Sequence, residues 1–245
     1  MINDVDLAIL IADQAGRLLV ELRQSGQLDG KALGAEGDRI ANALILETLR
    51  RERPDDAILS EEEANDVARC AAERVWIVDP LDGTREYGEG RSDWAVHIAL
   101  SIGGEATAGA VALPGLGLTL DSAHPRAIPP MPAKLRMLVS RTRPAPEAVS
   151  VAAALDAELV PMGSAGAKAM AVVMGQADIY LHSGGQYEWD NCAPVAVARA
   201  AGLHCSRIDG SPLTYNHENP WLPDLLICPG PLAEKVLSLV SSPNI

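Results

Sequence analysis

Two aspartates close an apolar stretch of the sequence, WIVDPLDGT at residues 76–84. The apolar residues before Asp79 predict a buried strand, and Pro80 predicts a bend at its end. Such a bend turns Asp79 and Asp82 towards one cavity, together with the carbonyl oxygen of Leu81. Carboxylate and carbonyl oxygens are the ligands that Mg²⁺ prefers in proteins. An ordinary turn, in which an aspartate bonds to the backbone two residues on, is the alternative interpretation.

The next two residues, Gly83 and Thr84, offer backbone N–H groups and a hydroxyl, which suit phosphate oxygens. We therefore predict a combined metal and phosphate site after the strand. Phosphatases that form an aspartyl-phosphate carry the motif D-x-D-G-T, whereas Asp79 and Asp82 have two residues between them here. The longer spacing gives the two carboxylates a different mutual geometry, and it favours water over an aspartate as the nucleophile.

Further acids lie at the ends of predicted elements, where they can complete such a site. Glu61 opens the acidic run Glu61–Glu63 after a short predicted strand, and Asp190 opens a later predicted helix. A carboxylate at a helix start is also explained by N-capping, and that alternative stays open for Asp190. Glu62, Glu63 and Glu89 are expected to face solvent.

The composition argues against several classes of function. The formal net charge is −13, and the only short basic segment that stands out is Arg50–Arg53, so a basic face for nucleic acid is not expected. Four Trp, four Tyr and no Phe give little support for a platform that stacks single-stranded nucleic acid. Because the chain is so acidic, an anionic ligand would need bound divalent cations to attract it.

The cysteines and the N-terminal segment indicate the compartment. Cys70, Cys192, Cys205 and Cys228 are widely spaced without a Cys-x-x-Cys pair, which predicts buried free thiols. The segment MINDVDLAILIADQ carries acids where a signal peptide has positive charge, and no apolar run reaches the ~20 residues of a membrane span. We therefore expect a cytoplasmic protein without a membrane partner.

Hydrophobic periodicity predicts an α+β first half at residues 1–121, a proline-rich linker at 122–134 and an α/β second half at 135–245. The whole suggests stacked layers of helix and sheet. The predicted elements are helices from Asn3 to Leu22 and from about Asp38 to Leu49, strands at 57–60 and 74–79, an antiparallel meander over 94–121, strands at 135–140, 157–161, 177–181 and 224–229, and helices after Pro146, at 164–174, at 190–201 and after 229.

Three motifs in this order, SEEE at 60–63, WIVDPLDGT at 76–84 and QYEWDNCAPVAVARAAG at 186–202, resemble the inositol monophosphatase superfamily. The chain is most similar to its CysQ-type branch of 3'(2'),5'-bisphosphate nucleotidases, of the actinobacterial kind. The resemblance implies a layered α-β-α-β-α sandwich of the inositol monophosphatase and fructose-1,6-bisphosphatase type. It also implies a lithium-sensitive phosphomonoesterase that forms a homodimer and uses roughly two or three Mg²⁺ ions per site.

The resemblance assigns roles to individual residues. Asp38 matches the aspartate that in the family opens the second helix and helps to orient the attacking water. The implied metal ligands are Glu61, Asp79, the Leu81 carbonyl, Asp82 and Asp190; the implied catalytic residues are Asp38, Glu61 and Thr84; and the implied substrate contacts are Asp82, Gly83, Thr84, Ser164, Lys168, Glu188 and Asp190.

Some of these residues also have a purely structural interpretation. Ser164 is a good helix N-cap, a lysine on a helix such as Lys168 usually faces solvent, and His97 fits a hydrogen-bonded core residue better than a metal ligand. Two positions depart from the family pattern. Ala35 stands where the family often has threonine, and His182 stands where nucleotidase relatives can carry arginine.

Three functions stay open at this point. The first is a nucleotidase of sulfate assimilation that hydrolyses 3'-phosphoadenosine 5'-phosphate, with 3'-phosphoadenylyl sulfate as a further substrate. The second keeps the chemistry but acts on inositol 1-phosphate, fructose 1,6-bisphosphate or histidinol phosphate. The third is a non-catalytic binding protein on the same fold, which is disfavoured because every expected carboxylate is present.

Overall fold

The computed structural model describes residues 2–241, and two long helices open the chain. Helix α1 spans Asp4–Gln24 and α2 spans Gly30–Glu52. The side chain of Asn3 accepts a hydrogen bond from the backbone N–H of Asp6 at 2.8 Å, so the predicted N-cap of α1 is confirmed.

The predicted start of the second helix at Asp38 is wrong, because α2 begins eight residues earlier, at Gly30. Gly34 and Gly37 interrupt the apolar pattern of this first part. Both are needed for close packing: a Cβ on Gly34 would lie 2.7 Å from Cγ2 of Thr84, and one on Gly37 would lie 3.0 Å from Leu81.

The first sheet comprises β1 (Ala57–Ser60), β2 (Arg74–Asp82), β3 (Ala95–Ile102), β4 (Glu105–Leu113) and β5 (Leu118–Asp121), in that spatial order. The pairing of β1 with β2 is parallel and the others are antiparallel, which confirms the predicted meander. A short 3₁₀ helix at Val67–Ala71 joins β1 to β2, and helix α3 spans Thr84–Gly88.

Strand β2 runs past its predicted end at Asp79 to Asp82 through a β-bulge. Asp79 pairs with His97 and Asp82 with Ala95, so two residues of β2 lie opposite one residue of β3. Pro80 has no N–H group to donate to the neighbouring strand, and a bulge tolerates that loss. The bulge turns the last part of β2 and places both aspartates at the end of the sheet.

The second sheet has the order β7-β6-β8-β10-β9, with β6, β7 and β8 parallel and β10 antiparallel to β8 and β9. Residues 122–134 form no helix or strand. The elements are β6 (Arg136–Ser140), α4 (Pro146–Leu155), β7 (Glu158–Met162), α5 (Ala165–Val173), β8 (Ile179–Tyr187), α6 (Glu188–Ala200), β9 (Leu203–Ser206), β10 (Trp221–Pro229) and α7 (Gly230–Val240).

Two details of the second half differ from prediction. Strand β9, with the sequence LHCS, was not predicted, because it is a short edge strand of mixed polarity. Helix α6 begins at Glu188 rather than at Asp190, which makes Asp190 the third residue of the helix. Its carboxylate accepts the N–H of Tyr187 at 2.6 Å, so it satisfies a free helix donor from inside the first turn.

Alternating residues of the two sheets build three hydrophobic layers. Trp76 and Val78 pack against α1 and α2, whereas Val75 and Ile77 face α5 and α6 between the sheets. The opposite face of the second sheet packs against α4 and α7. The result is the expected α-β-α-β-α sandwich. The middle layer joins both halves of the chain in one core.

The state of the cysteines agrees with the predicted free thiols. All four cysteines are free, with Cys192 and Cys228 buried and Cys70 and Cys205 partly buried. None of the helices between residues 2 and 241 is long and apolar enough to cross a bilayer.

Gly109 on β4 lets helix α6 lie directly on the first sheet. A Cβ at this position would be 2.8 Å from Cβ of Ala196 and 3.0 Å from the carbonyl oxygen of Ala193. We expect Gly109→Val to lower the free energy of unfolding by about 2 kcal/mol, because overpacking must push α6 from the sheet. Urea unfolding measures the effect, and Thr107→Val, on the exposed part of the same strand, is the control. Equal stability of both variants would show that α6 can move freely.

Candidate active site

The end of β2 is a hydrogen-bonded turn, as the sequence predicts. Oδ1 of Asp79 accepts the N–H of Leu81 at 3.0 Å, and the Thr84 hydroxyl donates to the Leu81 carbonyl at 3.1 Å. Gly83 has a φ of 88°, a left-handed conformation that a residue with a side chain adopts only under strain. The turn and the predicted site therefore coexist, since the turn directs the two aspartates.

Asp82 points at the N-terminus of α5. One oxygen accepts the Ser164 hydroxyl at 2.5 Å and the Gly166 N–H at 2.6 Å, and the other accepts the Ala165 N–H at 3.1 Å. Burial alone would raise the pKa of Asp82, but the charge of His97 and the hydrogen bond from Ser164 lower it to about 2. Asp82 is therefore an anion fixed in one orientation.

His97 joins Asp82 to the start of α6. Its Nε2 lies 3.2 Å from Oδ2 of Asp82, and its Nδ1 lies 2.9 Å from the carbonyl oxygen of Trp189. The Nδ1 contact is a hydrogen bond, whereas Nε2 lies at ion-pair distance from Asp82 without hydrogen-bond geometry. Burial opposes the charged ring, but Asp82 outweighs burial and raises the pKa of His97.

His97 is fully buried, as predicted for a core residue. Its contact with Asp82 was not predicted. The signal available in the sequence was a single histidine inside the otherwise apolar stretch WAVHIAL at 94–100.

Three carboxylates from both halves of the chain converge at this point. Single oxygens of Asp79, Asp82 and Asp190 lie within 4.8 Å of one another. Burial, followed by the charge of Glu61, raises the pKa of Asp79 well above its ordinary value. Burial and the charge of Asp82 raise the pKa of Asp190 to about 6. Like charges so close together are unfavourable unless protons or cations neutralise them.

Glu61 joins this cluster from the end of β1. Much of the residue is exposed, but its carboxyl group lies close enough to Asp79 and Asp190 to interact with both electrostatically. Loss of hydration and the charge of Asp190 raise its pKa to about 7. Of the four carboxylates that the resemblance assigned to metal, the structure thus brings Asp79, Asp82 and Asp190 together, with Glu61 near enough to affect their charge.

Asp38 and Thr84 form a second polar group beside the cluster. Asp38 is buried in the middle of α2, next to the Thr84 hydroxyl, and burial together with the charges of Glu62 and Glu61 raises its pKa to about 7. Its Oδ1 has no hydrogen-bond partner in the described part of the chain. Ala35 lines the cleft between α2 and α3 with Asp38 and Thr84, where a threonine would add a hydroxyl.

A family model described as the inositol monophosphatase family matches residues 8–242. The chain belongs to the inositol monophosphatase family. The resemblance of the three motifs is thereby confirmed, and so is the layered fold that it implied. Enzymes of this family depend on metal ions.

Relatives with similar sequences carry nucleotidase names. A Mycobacterium leprae protein named 3'-phosphoadenosine 5'-phosphate phosphatase is 49% identical, and the match covers 98% of this chain and 94% of the relative. The 3'(2'),5'-bisphosphate nucleotidase CysQ of Escherichia coli is 32% identical, with 76% and 80% of the two chains covered. The crystal structure of CysQ from Bacteroides thetaiotaomicron superposes with a TM-score of 0.79 at 25% identity, covering 92% of this chain and 97% of that one.

Two of the residues that the family resemblance placed at the substrate are held by the protein itself. Ser164 caps α5 and accepts the Ala167 N–H at 2.9 Å while it donates to Asp82. The expectation of a solvent-facing Lys168 is wrong: the side chain is buried, and its Nζ donates to the Ser164 carbonyl at 2.5 Å and the Gly163 carbonyl at 3.3 Å. These two contacts use two of the three N–H donors of the ammonium group, so the substrate contact of Lys168 stays a prediction.

Glu188 and His182 both have hydrogen-bond partners within the protein. Glu188 is fully buried, and its oxygens accept the N–H groups of Asn216 and His217 at 2.7 and 2.8 Å. The carboxylate therefore holds this loop, and its contact with a substrate hydroxyl stays a prediction. His182 contacts the carbonyl oxygen of Gly185 at 2.9 Å within its own turn.

The donor set fits a hard divalent cation. Carboxylate oxygens of Asp79, Asp82 and Asp190 converge. The pKa values of Asp79 and Asp190 are raised because the positive groups of the protein do not balance this negative charge. A cation bound there would replace the protons on these groups.

The raised pKa values predict that the metal-free protein becomes less stable as pH rises. Asp38 and Glu61 have pKa values of about 7 and Asp190 of about 6, so between pH 4 and 7 the native state binds more protons than the unfolded state. The free energy of unfolding then falls with increasing pH. Urea unfolding at pH 5.5 and 8.0 with EDTA should show this decline. Mg²⁺ should stabilise the protein more at pH 8.0, and a Mg²⁺ effect that is larger at pH 5.5 would contradict the assignment.

Replacement of Asp190 should raise the stability of the metal-free protein and abolish its activity. Asp190→Asn keeps an acceptor for the Tyr187 N–H but removes one negative charge from the cluster. We expect metal-free Asp190→Asn to be more stable than wild type at pH 8 by about 1–3 kcal/mol, and we expect its turnover to be lost. Thermal unfolding with EDTA and phosphate release with Mg²⁺ measure the two effects. Asp55→Asn, an exposed acid before β1, is the control, and wild-type turnover in Asp190→Asn would place the site elsewhere.

Proposed function

We propose that this chain is a Mg²⁺-dependent phosphatase that removes the 3'-phosphate of 3'-phosphoadenosine 5'-phosphate, and that it also accepts 3'-phosphoadenylyl sulfate, in sulfur metabolism. The observation that carries the chemistry is the convergence of Asp79, Asp82 and Asp190 within 4.8 Å. The substrate is supported by the relative from Mycobacterium leprae, which carries this activity in its name and matches almost the whole chain.

The hydrogen bonds of the aspartates support water as the nucleophile. Both oxygens of Asp82 accept hydrogen bonds from the α5 N-terminus, and its pKa of about 2 marks a well-stabilised, weakly basic carboxylate. Oδ1 of Asp79 is bonded to the N–H of Leu81. Asp82 is thus held on both oxygens and Asp79 on one, which agrees with the spacing argument against an aspartyl-phosphate.

Asp38 is the best-placed group to accept the proton of the attacking water. Its Oδ1 has no partner among the described residues, and its raised pKa of about 7 suits a general base near neutral pH. Thr84 lies beside it at the start of α3, so a water that hydrogen-bonds to Thr84 can also reach Asp38. Glu61, on the other side of the cluster, is the alternative base.

Mg²⁺, held by Glu61, Asp79, Asp82, Asp190 and the Leu81 carbonyl, would supply positive charge for the phosphate and favour ionisation of the water. The protein fixes Asp82 through α5 and fixes Asp190 through the Tyr187 N–H. Backbone N–H groups of Gly83 and Thr84 stay the predicted contacts of the phosphate oxygens. Lithium inhibition and a homodimer stay predictions of the family resemblance, and a cytoplasmic location stays a prediction of the cysteines and the N-terminal segment.

A comparison of substrates tests the proposed function. Phosphate release should be measured with Mg²⁺ for 3'-phosphoadenosine 5'-phosphate, inositol 1-phosphate, fructose 1,6-bisphosphate and histidinol phosphate. We expect kcat/KM to be highest for the adenosine bisphosphate, by about tenfold or more, which corresponds to roughly 1.4 kcal/mol. We also expect EDTA to abolish the activity and lithium to inhibit it.

Each of the other outcomes of this comparison would contradict a different part of the proposed function. Preference for another phosphomonoester would contradict the substrate while retaining the chemistry. Full activity after thorough chelation would contradict the metal mechanism. Absence of hydrolysis for all four compounds would favour a binding protein on this fold.

A further inference from the structure

The aromatic residues that reach solvent lie in one corner of the molecule. The chain has four Trp, four Tyr and no Phe. Tyr187 and Trp221 are 45% and 46% exposed, and Trp189 is partly buried against the core. The other five aromatic residues, at most 3% exposed, are Trp76, Trp94, Tyr87, Tyr180 and Tyr215.

Two of these three rings stack on each other, and the third belongs to the residue that pairs with Tyr187 on the neighbouring strand. Tyr187 and Trp189 are nearly parallel, with an interplanar angle of 7° and ring centroids 4.7 Å apart. Because Trp189 packs against the core, it supports one face of Tyr187. Trp221 pairs with Tyr187 across β8 and β10, so both side chains project from the same face of the sheet.

Gly185 allows Trp221 to lie close to the backbone of β8. A Cβ at Gly185 would be 2.6 Å from Nε1 of the Trp221 indole. Trp221 is therefore seated against the sheet while almost half of it stays exposed. The exposed aromatic surface is thus held by packing on both strands, rather than carried on a free loop.

This corner is directly connected to the carboxylate cluster. The N–H of Tyr187 donates to Oδ2 of Asp190 at 2.6 Å. Standard bond lengths put the ring of Tyr187 within roughly 8 Å of that carboxylate. A ribose that carries a phosphate on one side and a base on the other bridges a gap of this size.

We propose that Tyr187, supported by Trp189 and flanked by Trp221, is the platform on which the nucleobase of the substrate stacks while its phosphate lies at the carboxylates. The inference rests on the proposed function, and it names the part of the protein that recognises a nucleotide. Every base has a π-face, so stacking on aromatic side chains tolerates different bases. The platform selects nucleotides over inositol and sugar phosphates without selecting adenine.

Binding of two ligands that differ by the base tests the platform. Calorimetry with Mg²⁺ present compares adenosine 5'-monophosphate, the nucleotide product, with ribose 5-phosphate. For the wild-type protein we expect the nucleotide to bind at least about fivefold more tightly, as stacking on an aromatic side chain predicts. The ratio of the two dissociation constants, rather than either constant alone, is the readout.

Three variants and one control resolve the contributions. Tyr187→Ala keeps the backbone N–H that Asp190 accepts, and its ratio should fall close to unity. Tyr187→Phe keeps the ring, and its ratio should stay near that of the wild type. Trp221→Ala should have an intermediate ratio. Val67→Ala, at a position 56% exposed in the 3₁₀ helix, should leave the ratio unchanged.

The outcomes of this experiment test the platform independently of the proposed function. Equal affinity of the wild-type protein for both ligands, or an unchanged ratio in Tyr187→Ala, would overturn the platform even if the adenosine bisphosphate is the preferred substrate. A retained base preference that depends on Tyr187 would support the platform even if the substrate comparison contradicts the proposed function. Variants that change the oligomeric state in light scattering but not the ratio would assign the corner to an interface between copies and overturn the inference.

Discussion

Repulsion among the carboxylates of Glu61, Asp79, Asp82 and Asp190 is the constraint on which this site depends. They come from β1, β2 and α6, so the packing of helices between two sheets forces negative groups together that would separate in an unfolded chain. The raised pKa values of Asp79 and Asp190 show that protons neutralise part of this charge when the protein is alone. A site of this kind repels phosphate when empty and attracts it when loaded with cations.

Asp82 is the carboxylate of the cluster that hydrogen bonds hold on both oxygens. The N-terminus of α5 supplies three hydrogen bonds to it, and His97 adds a charged contact at 3.2 Å. His97 also reaches the carbonyl of Trp189 in the first turn of α6, so the same ring links the element that carries Asp82 to the element that carries Asp190. This network explains how a glycine-containing turn can hold a catalytic geometry: the neighbouring half of the chain holds it in place.

The layered fold and the convergence of Asp79, Asp82 and Asp190 could be predicted from the sequence because their signals are local. Periodicity located nearly every strand and helix, and the motif around Asp79 and Asp82 indicated a site that the structure assembles. Contacts between residues far apart in the chain could not be predicted from the sequence. The hydrogen bonds of Glu188 to the loop at 216–217 and of Lys168 to two carbonyl groups depend on how the chain returns upon itself. The start of α2 was missed because the glycines in its first turns serve packing against Thr84 and Leu81 rather than helix formation.

Proton release on binding of Mg²⁺ tests the central claim most directly, because it counts the protons that the cations displace. Calorimetric titration of the metal-free protein at pH 6.5, in buffers of different ionisation enthalpy, gives this number. The account predicts release of about one proton or more per site, since Asp38 and Glu61 titrate near pH 7 and Asp190 near pH 6. Binding of Mg²⁺ without proton release would contradict the account, because it would mean that the carboxylates are already ionised and that their convergence carries no cost.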